Sequence, residues 1–298
     1  MGVRIRATGT STATDTHSVV EHSGSAAREA LRRAGIRTDQ VGVLINTGIF
    51  RDSNTVEPAV SALIQKAAGV GLDYTKGDAR TFSFDLMNGA VGVLNAVQVA
   101  GSILTTGSTE HVLIVAGDTH PSLSRSAADA EFPYATAGAA LLLDTTDGPE
   151  GFGPVHTATA PGTPAEQAYV DTATMGTVGR GLMTIEREPD FEDRVLAVAT
   201  EVARAAVAGA DAGRVALIAS TPSPQFPKLL ADALGLDQDA VRVPDLSAGD
   251  PHTATLPLAY DRAVTEGSLA GYTQVLFVAA GAGPSAAATL YRLPAETV

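Results

Sequence analysis

Short apolar runs alternate with amphipathic stretches along most of this chain, and that alternation limits the fold more than any other feature. The runs Val41–Ile45, Thr81–Leu86, His111–Ala116, Ala139–Leu143, Arg214–Ala219, Val241–Leu246 and Gln274–Ala280 are rich in Val, Ile and Leu. Most are apolar at successive positions, so both faces of each strand should be covered, as in a parallel sheet between helix layers. Helical patterns fall between them at Ala26–Ala34, Val60–Ala68, Ala90–Leu104, Phe191–Ala208, Lys228–Leu234 and Thr255–Val264. Strands alternating with helices predict an α/β architecture.

The pattern also occurs twice. Ala30–Ile45 (ALRRAGIRTDQVGVLI) and Ala203–Ile218 (ARAAVAGADAGRVALI) are both a helix end, a small polar turn and a buried strand. Phe84–Gly117 and Val241–Gly281 each run strand, turn, helix, Gly-containing turn, strand, ending in VLIVAG and VLFVAAG. Two similar units in one chain predict a pseudo-two-fold duplication. The expected division is an N-terminal half over 1–147, a linker with connecting strands over 148–189, and a C-terminal half over 190–298.

Composition removes several function classes. The chain of 298 residues has no cysteine, which excludes a disulfide scaffold, Cys-ligated metals and a cysteine nucleophile. A formal net charge of −13 argues against a nucleic-acid partner, whose phosphates need a basic face. No apolar run is long enough to span a membrane, and Met1–Ala13 lacks the apolar core of a leader, so a cytoplasmic location is expected. The histidine spacing matches no metal motif, and none of the histidines is expected to hold a metal. His120, just past a strand end, reads as a surface residue.

Three segments, in order, resemble β-ketoacyl synthase III and its thiolase-fold relatives. Phe84–Gly92 (FDLMNGAVG) is similar to that family's nucleophile segment, F-D followed by small residues and A-C-x-G-F at the start of a buried helix. Asp250–Pro257 (DPHTATLP) resembles its N-T-S-A-A-S-x-P segment. Val275–Leu293 resembles its strand, Gly-rich turn and final strand. The resemblance implies a five-layered αβαβα fold with internal duplication, and a homodimer or a heterodimer with a homologue. It implies acyl groups carried as thioesters on coenzyme A or an acyl carrier protein, as substrates and with no separate cofactor. The long loop that follows the first strand in such synthases is missing between Ala13 and Ser23.

The family's chemistry needs a thiolate, a histidine and an asparagine. The position matching the cysteine is Ala90. The histidine position falls on Ser220 or Ser223, and the asparagine position on Asp250. What the resemblance leaves intact is an oxyanion site: the backbone N–H of Ala90 with Gly281 and Gly283. Asp250 and His252, two residues apart before a helix, are expected to act as orienter and general base. Asn88 is a candidate donor to a substrate carbonyl. Arg28, Arg32 and Arg33, with Arg37 on the turn that follows, are candidates for contact with a coenzyme A phosphate or an acidic carrier.

These residues lead to an expected acyl-thioester protein of polyketide or fatty-acid-type metabolism. It would perform acyl transfer or decarboxylation without a Cys acyl-enzyme. Two alternatives stand beside it: an inactive partner subunit of a Cys-containing homologue, and an engineered Cys-to-Ala form of an active acyltransferase.

Overall fold

The duplication expected from the sequence is present strand for strand. A computed structural model describes residues 2–72, 81–122, 132–171, 173, 183–281 and 283–295. The first half holds β1 (Gly2–Ser11), α1 (Val19–Ala34), β2 (Val43–Asn46), α2 (Val60–Ala68), β3 (Phe82–Asp85), α3 (Gly92–Thr105), β4 (Val112–Asp118) and β5 (Ala137–Thr146). Then come β6 (Gly151–Phe152), β7 (His156–Thr159), β8 (Glu166–Tyr169) and β9 (Thr184–Arg187). The second half holds α4 (Phe191–Ala206), β10 (Val215–Ala219), α5 (Phe226–Leu234), β11 (Val241–Arg242), α6 (Thr255–Thr265), β12 (Gln274–Gly281) and β13 (Ser285–Arg292).

The first sheet has the order β1-β5-β4-β2-β3, and the second β11-β10-β12-β13-β6, with β7 also on β13. In both, a central strand (β2 or β10) pairs in parallel with two neighbours, and a hairpin (β4–β5 or β12–β13) adds the antiparallel side. The stretch between the halves is not only a connection: β6 and β7 extend the second sheet, and β8–β9 form a separate hairpin.

Strand parity divides the core into layers. Val43, Ile45, Val112 and Ile114 face inward with Ala216, Ile218, Val275 and Phe277 of the other sheet, and α3 and α6 fill the space between. Leu44, Leu113 and Val115 point the other way, onto α1 and α2. Leu217, Leu276 and Val278 do the same toward α4 and α5. The result is the αβαβα, thiolase-like arrangement, and it explains why the strands are apolar at consecutive positions.

Two segments differ from the sequence expectation. The run Val241–Leu246 is a strand only at Val241–Arg242, because Pro244 has no N–H to give a ladder. β1 carries Arg4 and Arg6 among its apolar residues and so lacks the doubly buried pattern. It pairs with β5, and Arg4 forms ion pairs with Asp144 and Glu150. No helix among the described residues is long and apolar enough to cross a membrane.

Candidate functional site

The loop before α3 and the loop before α6 occupy equivalent places in the two halves, and they meet. Ala90 lies just before α3, and its Cβ and N are each 3.7 Å from where a Cβ on Gly281 would sit. The end of β12 and the loop before α3 are therefore in van der Waals reach of each other. Asp85 fixes the loop from the other side: its carboxylate accepts the N–H groups of Val60 and Ser61 at the start of α2 and a bond from the Asn46 amide. The aspartate of the F-D pair is thus a helix cap, favoured there by the exposed N–H groups and the dipole.

Ala90, Ser220, Asp250, His252 and Gly281 line one small cavity, together with Tyr134, Glu166 and Arg187. Ser220 sits at the end of β10, where its Oγ accepts the Ala280 N–H at 3.0 Å. Ser223 lies elsewhere and donates to Glu192 at the start of α4. Gly283 is next to Ser285 and is not part of this lining. Asn88 bonds the Asn95 side chain on the exposed surface.

The arginine cluster is engaged with the protein itself. Arg32 and Arg33 share Glu29, Arg33 also reaches Asp261, Arg28 bonds the Ala67 carbonyl, and Arg37 pairs with Asp39. None of these side chains lines the cavity. His120 is buried rather than at the surface, with its ring edge-on to Phe132 and its Nδ1 2.7 Å from the Ser122 hydroxyl.

The imidazole of His252 finds a different partner from the one expected. Asp250 takes the backbone N–H of His252 at 2.9 Å and hydroxyls of Thr221 and Thr255. The ring instead places Nδ1 3.2 Å from Oδ2 of Asp118, at the end of β4. The backbone turn is the cause. His252 has φ 48°, a left-handed conformation that costs a non-glycine residue energy and aims the side chain at the opposite half. Its ring stacks on Tyr134 with centroids 4.2 Å apart and lies against Phe50.

Asp118 is fully buried and fully satisfied. Oδ1 accepts the N–H groups of Ile49 and Phe50, and Oδ2 accepts those of Thr253 and its hydroxyl as well as the imidazole. Burial works to raise its pKa, but the His252 charge and these hydrogen bonds outweigh burial and hold the carboxyl below its ordinary range. Burial lowers the His252 pKa, and the Asp118 charge more than offsets that, so the imidazole titrates above its ordinary value. At Asp250 burial wins, and the carboxyl is pushed up.

A second network, with Tyr134 and Glu166 buried and Arg187 reaching solvent, closes the cavity. Glu166 on β8 accepts the Tyr134 hydroxyl at 2.7 Å and Nε of Arg187 at 2.5 Å, while the Arg187 guanidinium lies over the Phe191 ring. Neither Asp118 nor the Tyr134–Glu166–Arg187 group was marked by any sequence motif. The remaining cavity is about 10 Å³, close to the space that a single water needs. No group of His, Cys, Asp and Glu among the described residues is arranged to hold a metal ion.

No family model matches the sequence. The chain is 26% identical over 279 residues to β-ketoacyl-[acyl-carrier-protein] synthase III of Streptomyces lividans, covering 91% of this chain and 79% of that protein. It is 31% identical over 94 residues to the acyl-CoA:acyl-CoA alkyltransferase of Xanthomonas campestris, a match that spans 25% of that protein. Among solved structures, a priming β-ketosynthase of a polyketide pathway superimposes with a TM-score of 0.80 at 21% identity, covering 98% of this chain and 96% of that one. Synthase III of Aquifex aeolicus gives 0.79 at 18% identity, covering 98% and 100%. The chain is therefore similar to synthase III in sequence over most of its length and thiolase-like in fold, and it has no cysteine.

Proposed function

We propose that this protein binds an acyl thioester, on coenzyme A or a carrier protein, and transfers the acyl group directly to an acceptor alcohol or amine. The observation that carries this reading is that His252, held by the buried Asp118, lines the same small cavity as Ala90 and Gly281. An imidazole whose Nδ1 is held by a buried carboxylate has Nε2 left for proton transfer. The thioester carbonyl would take the Ala90 N–H as it becomes an oxyanion. The acceptor's C–O or C–N bond forms as its proton passes to His252, and the same proton goes to the departing thiolate as the C–S bond breaks. Names of the relatives support the substrate class, since they are acyl-carrier-protein and acyl-CoA enzymes.

The test is turnover of an acyl-CoA panel with alcohol and amine acceptors, including malonyl-CoA so that decarboxylation is also seen. Product is expected with the native protein, and at least a hundredfold less with His252→Asn, a loss typical of removing a general base. Equal rates for the two proteins would remove His252 from the chemistry.

One observation favours a second reading. A cavity of about 10 Å³ cannot hold a thioester as it stands, which fits a non-catalytic partner of a Cys-bearing homologue. Ala90→Cys separates the two. A thioester that reaches the site will acylate the new thiol, seen as a mass increase of the intact protein. Absence of acylation, with co-purification of a Cys-bearing homologue, supports the partner reading. Introducing the cysteine alone should not produce condensation, because a serine (Ser220 or Ser223) and Asp250 stand where the resemblance places histidine and asparagine.

A further inference from the structure

A larger cavity lies beyond the Tyr134 ring. Its volume is about 450 Å³, within the roughly 300–1,000 Å³ of small-molecule sites. The Tyr134 ring walls both cavities, and its hydroxyl is anchored to Glu166 on the Ala90 side. One wall is the short β1–α1 loop with the hydroxyls of Thr12 and Thr14. Another part of the lining is the loop after β11, with Asp245 and Ser247, and the buried Phe132 is also part of the wall.

The wall made by the β1–α1 loop is preformed. His22, fully buried on α1, sets Nδ1 3.0 Å from the Ser11 hydroxyl and Nε2 3.1 Å from the Thr16 carbonyl, so one imidazole ties both ends of the loop. In the loop after β11, the Asp245 carboxylate accepts the Ser247 N–H at 2.9 Å. Hydrogen bonds from Ser247 hold that carboxyl below its ordinary range, which keeps it charged.

The lining selects by charge. Among the described residues it contains no Lys or Arg and one carboxylate, on a chain whose formal net charge is −13. A phosphate or carboxylate ligand would meet the Asp245 carboxylate inside the lining, where the only nitrogen side chains are the imidazoles of His17 and His120 and the guanidinium that acts on Asp245, Arg262, is not part of the wall. Hydroxyls, imidazoles and one carboxylate acceptor instead suit a ring that carries several hydroxyl groups: its O–H groups donate to Asp245 and the threonines, and its C–H groups meet the exposed methyls of Ala13 and Ala248.

We propose that this cavity, lined by the β1–α1 loop and the loop after β11, is a binding site for an uncharged polyhydroxylated ring compound. The inference goes beyond the acyl-transfer reading and does not rest on it, because binding is read without turnover.

Saturation-transfer NMR on the full chain tests it, with methyl glucoside and myo-inositol as neutral probes and pyrophosphate as the anionic one. The neutral probes should give signal and pyrophosphate none. Ala248→Trp, at an exposed rim position, fills the mouth and should weaken binding by at least about tenfold with an unchanged melting temperature. Asp245→Lys, also exposed, should weaken the neutral probes and admit pyrophosphate. The proposal is overturned if neither neutral probe binds the native chain, if binding survives both substitutions, or if pyrophosphate binds the native chain as well as the polyols do.

Discussion

Asp118 and His252 form an ion pair, with Oδ2 and Nδ1 3.2 Å apart, that ties the end of β4 in one half to the loop before α6 in the other. The pair is a statement about stability as well as about chemistry. The Asp118 pKa is lowered from 3.8, so its contribution is present above that value and is lost as pH falls through the folded value. The His252 pKa is raised from 6.5, so its contribution is complete below that value and is lost as pH rises through the folded value. Both act together between 3.8 and 6.5. His252→Asn keeps a residue that tolerates the left-handed backbone and removes the charge. Urea unfolding should show the largest difference between native protein and variant near about pH 5–6, shrinking toward about pH 9. A difference independent of pH would deny the ion pair.

The same raised pKa fixes the sign of any activity profile. Acyl transfer needs the neutral imidazole as base, so kcat/KM should rise with pH on a limb whose midpoint lies above 6.5, the ordinary imidazole value. Asp118→Asn removes the charge that raises it and should move that midpoint down. A profile flat across this range, or a midpoint that stays put in Asp118→Asn, would take His252 out of the proton transfer.

Glu166 is 8% exposed, and its two oxygens are taken by Tyr134 and Arg187. Arg187→Met leaves a buried carboxylate with a single neutral donor. Arg187 is partly open to solvent, which screens the pair, so the loss should stay below about 3–5 kcal/mol, the cost of breaking a fully buried pair, and urea midpoints should fall accordingly. Arg187→Met with Glu166→Gln removes both charges and should recover most of the loss. If the double variant is no more stable than the single one, the pair is not coupled.

How much of this was legible follows from which contacts are local. The sheets, helix layers and duplication come from period-2 and helical patterns within short windows, so they could be read. Asp85 and the Ala90 position carry a local motif. Asp118 does not: it follows an apolar strand and acts on a residue 134 positions away. Glu166 and Arg187 sit on short, polar, half-exposed strands with no apolar alternation, so nothing marked them as members of this network. Asp250 and His252 are two residues apart in sequence, but a left-handed φ at His252 sends the ring away from Asp250, and such a turn has no signature when the residue is not glycine.

Helix α1 tests a different kind of constraint. A Cβ at Gly9 on β1 would come within 2.0 Å of the Ala26 carbonyl, a backbone atom of α1. Gly9→Ala must therefore push the helix off the sheet, at a cost of about 3 kcal/mol or more. Gly35, at the C-terminus of the same helix, has φ 67° and nothing within 4 Å of its added Cβ. Gly35→Ala pays only the left-handed penalty, about 1 kcal/mol. Thermal unfolding of the two variants should separate them clearly, and equal losses would mean that α1 does not sit against β1 as described.

The outer edges of the two sheets are equivalent by topology and unequal in character. β11 is two residues long and its run ends before Pro244, a form that discourages pairing with another chain. β3 is four residues long, with its outer side unpaired among the described residues. Phe82 on it is 64% exposed and Met87 just after it 50%. Large apolar side chains beside an open edge are an interaction surface, and a second copy or a homologue would cover it by adding its own β3. Light scattering at micromolar concentration should report a dimer, and Phe82→Lys should convert it to a monomer without lowering the melting temperature. A native chain that is monomeric alone and dimeric only with a Cys-bearing homologue would assign the edge to that partner. A native dimer that Phe82→Lys leaves intact would place the interface elsewhere.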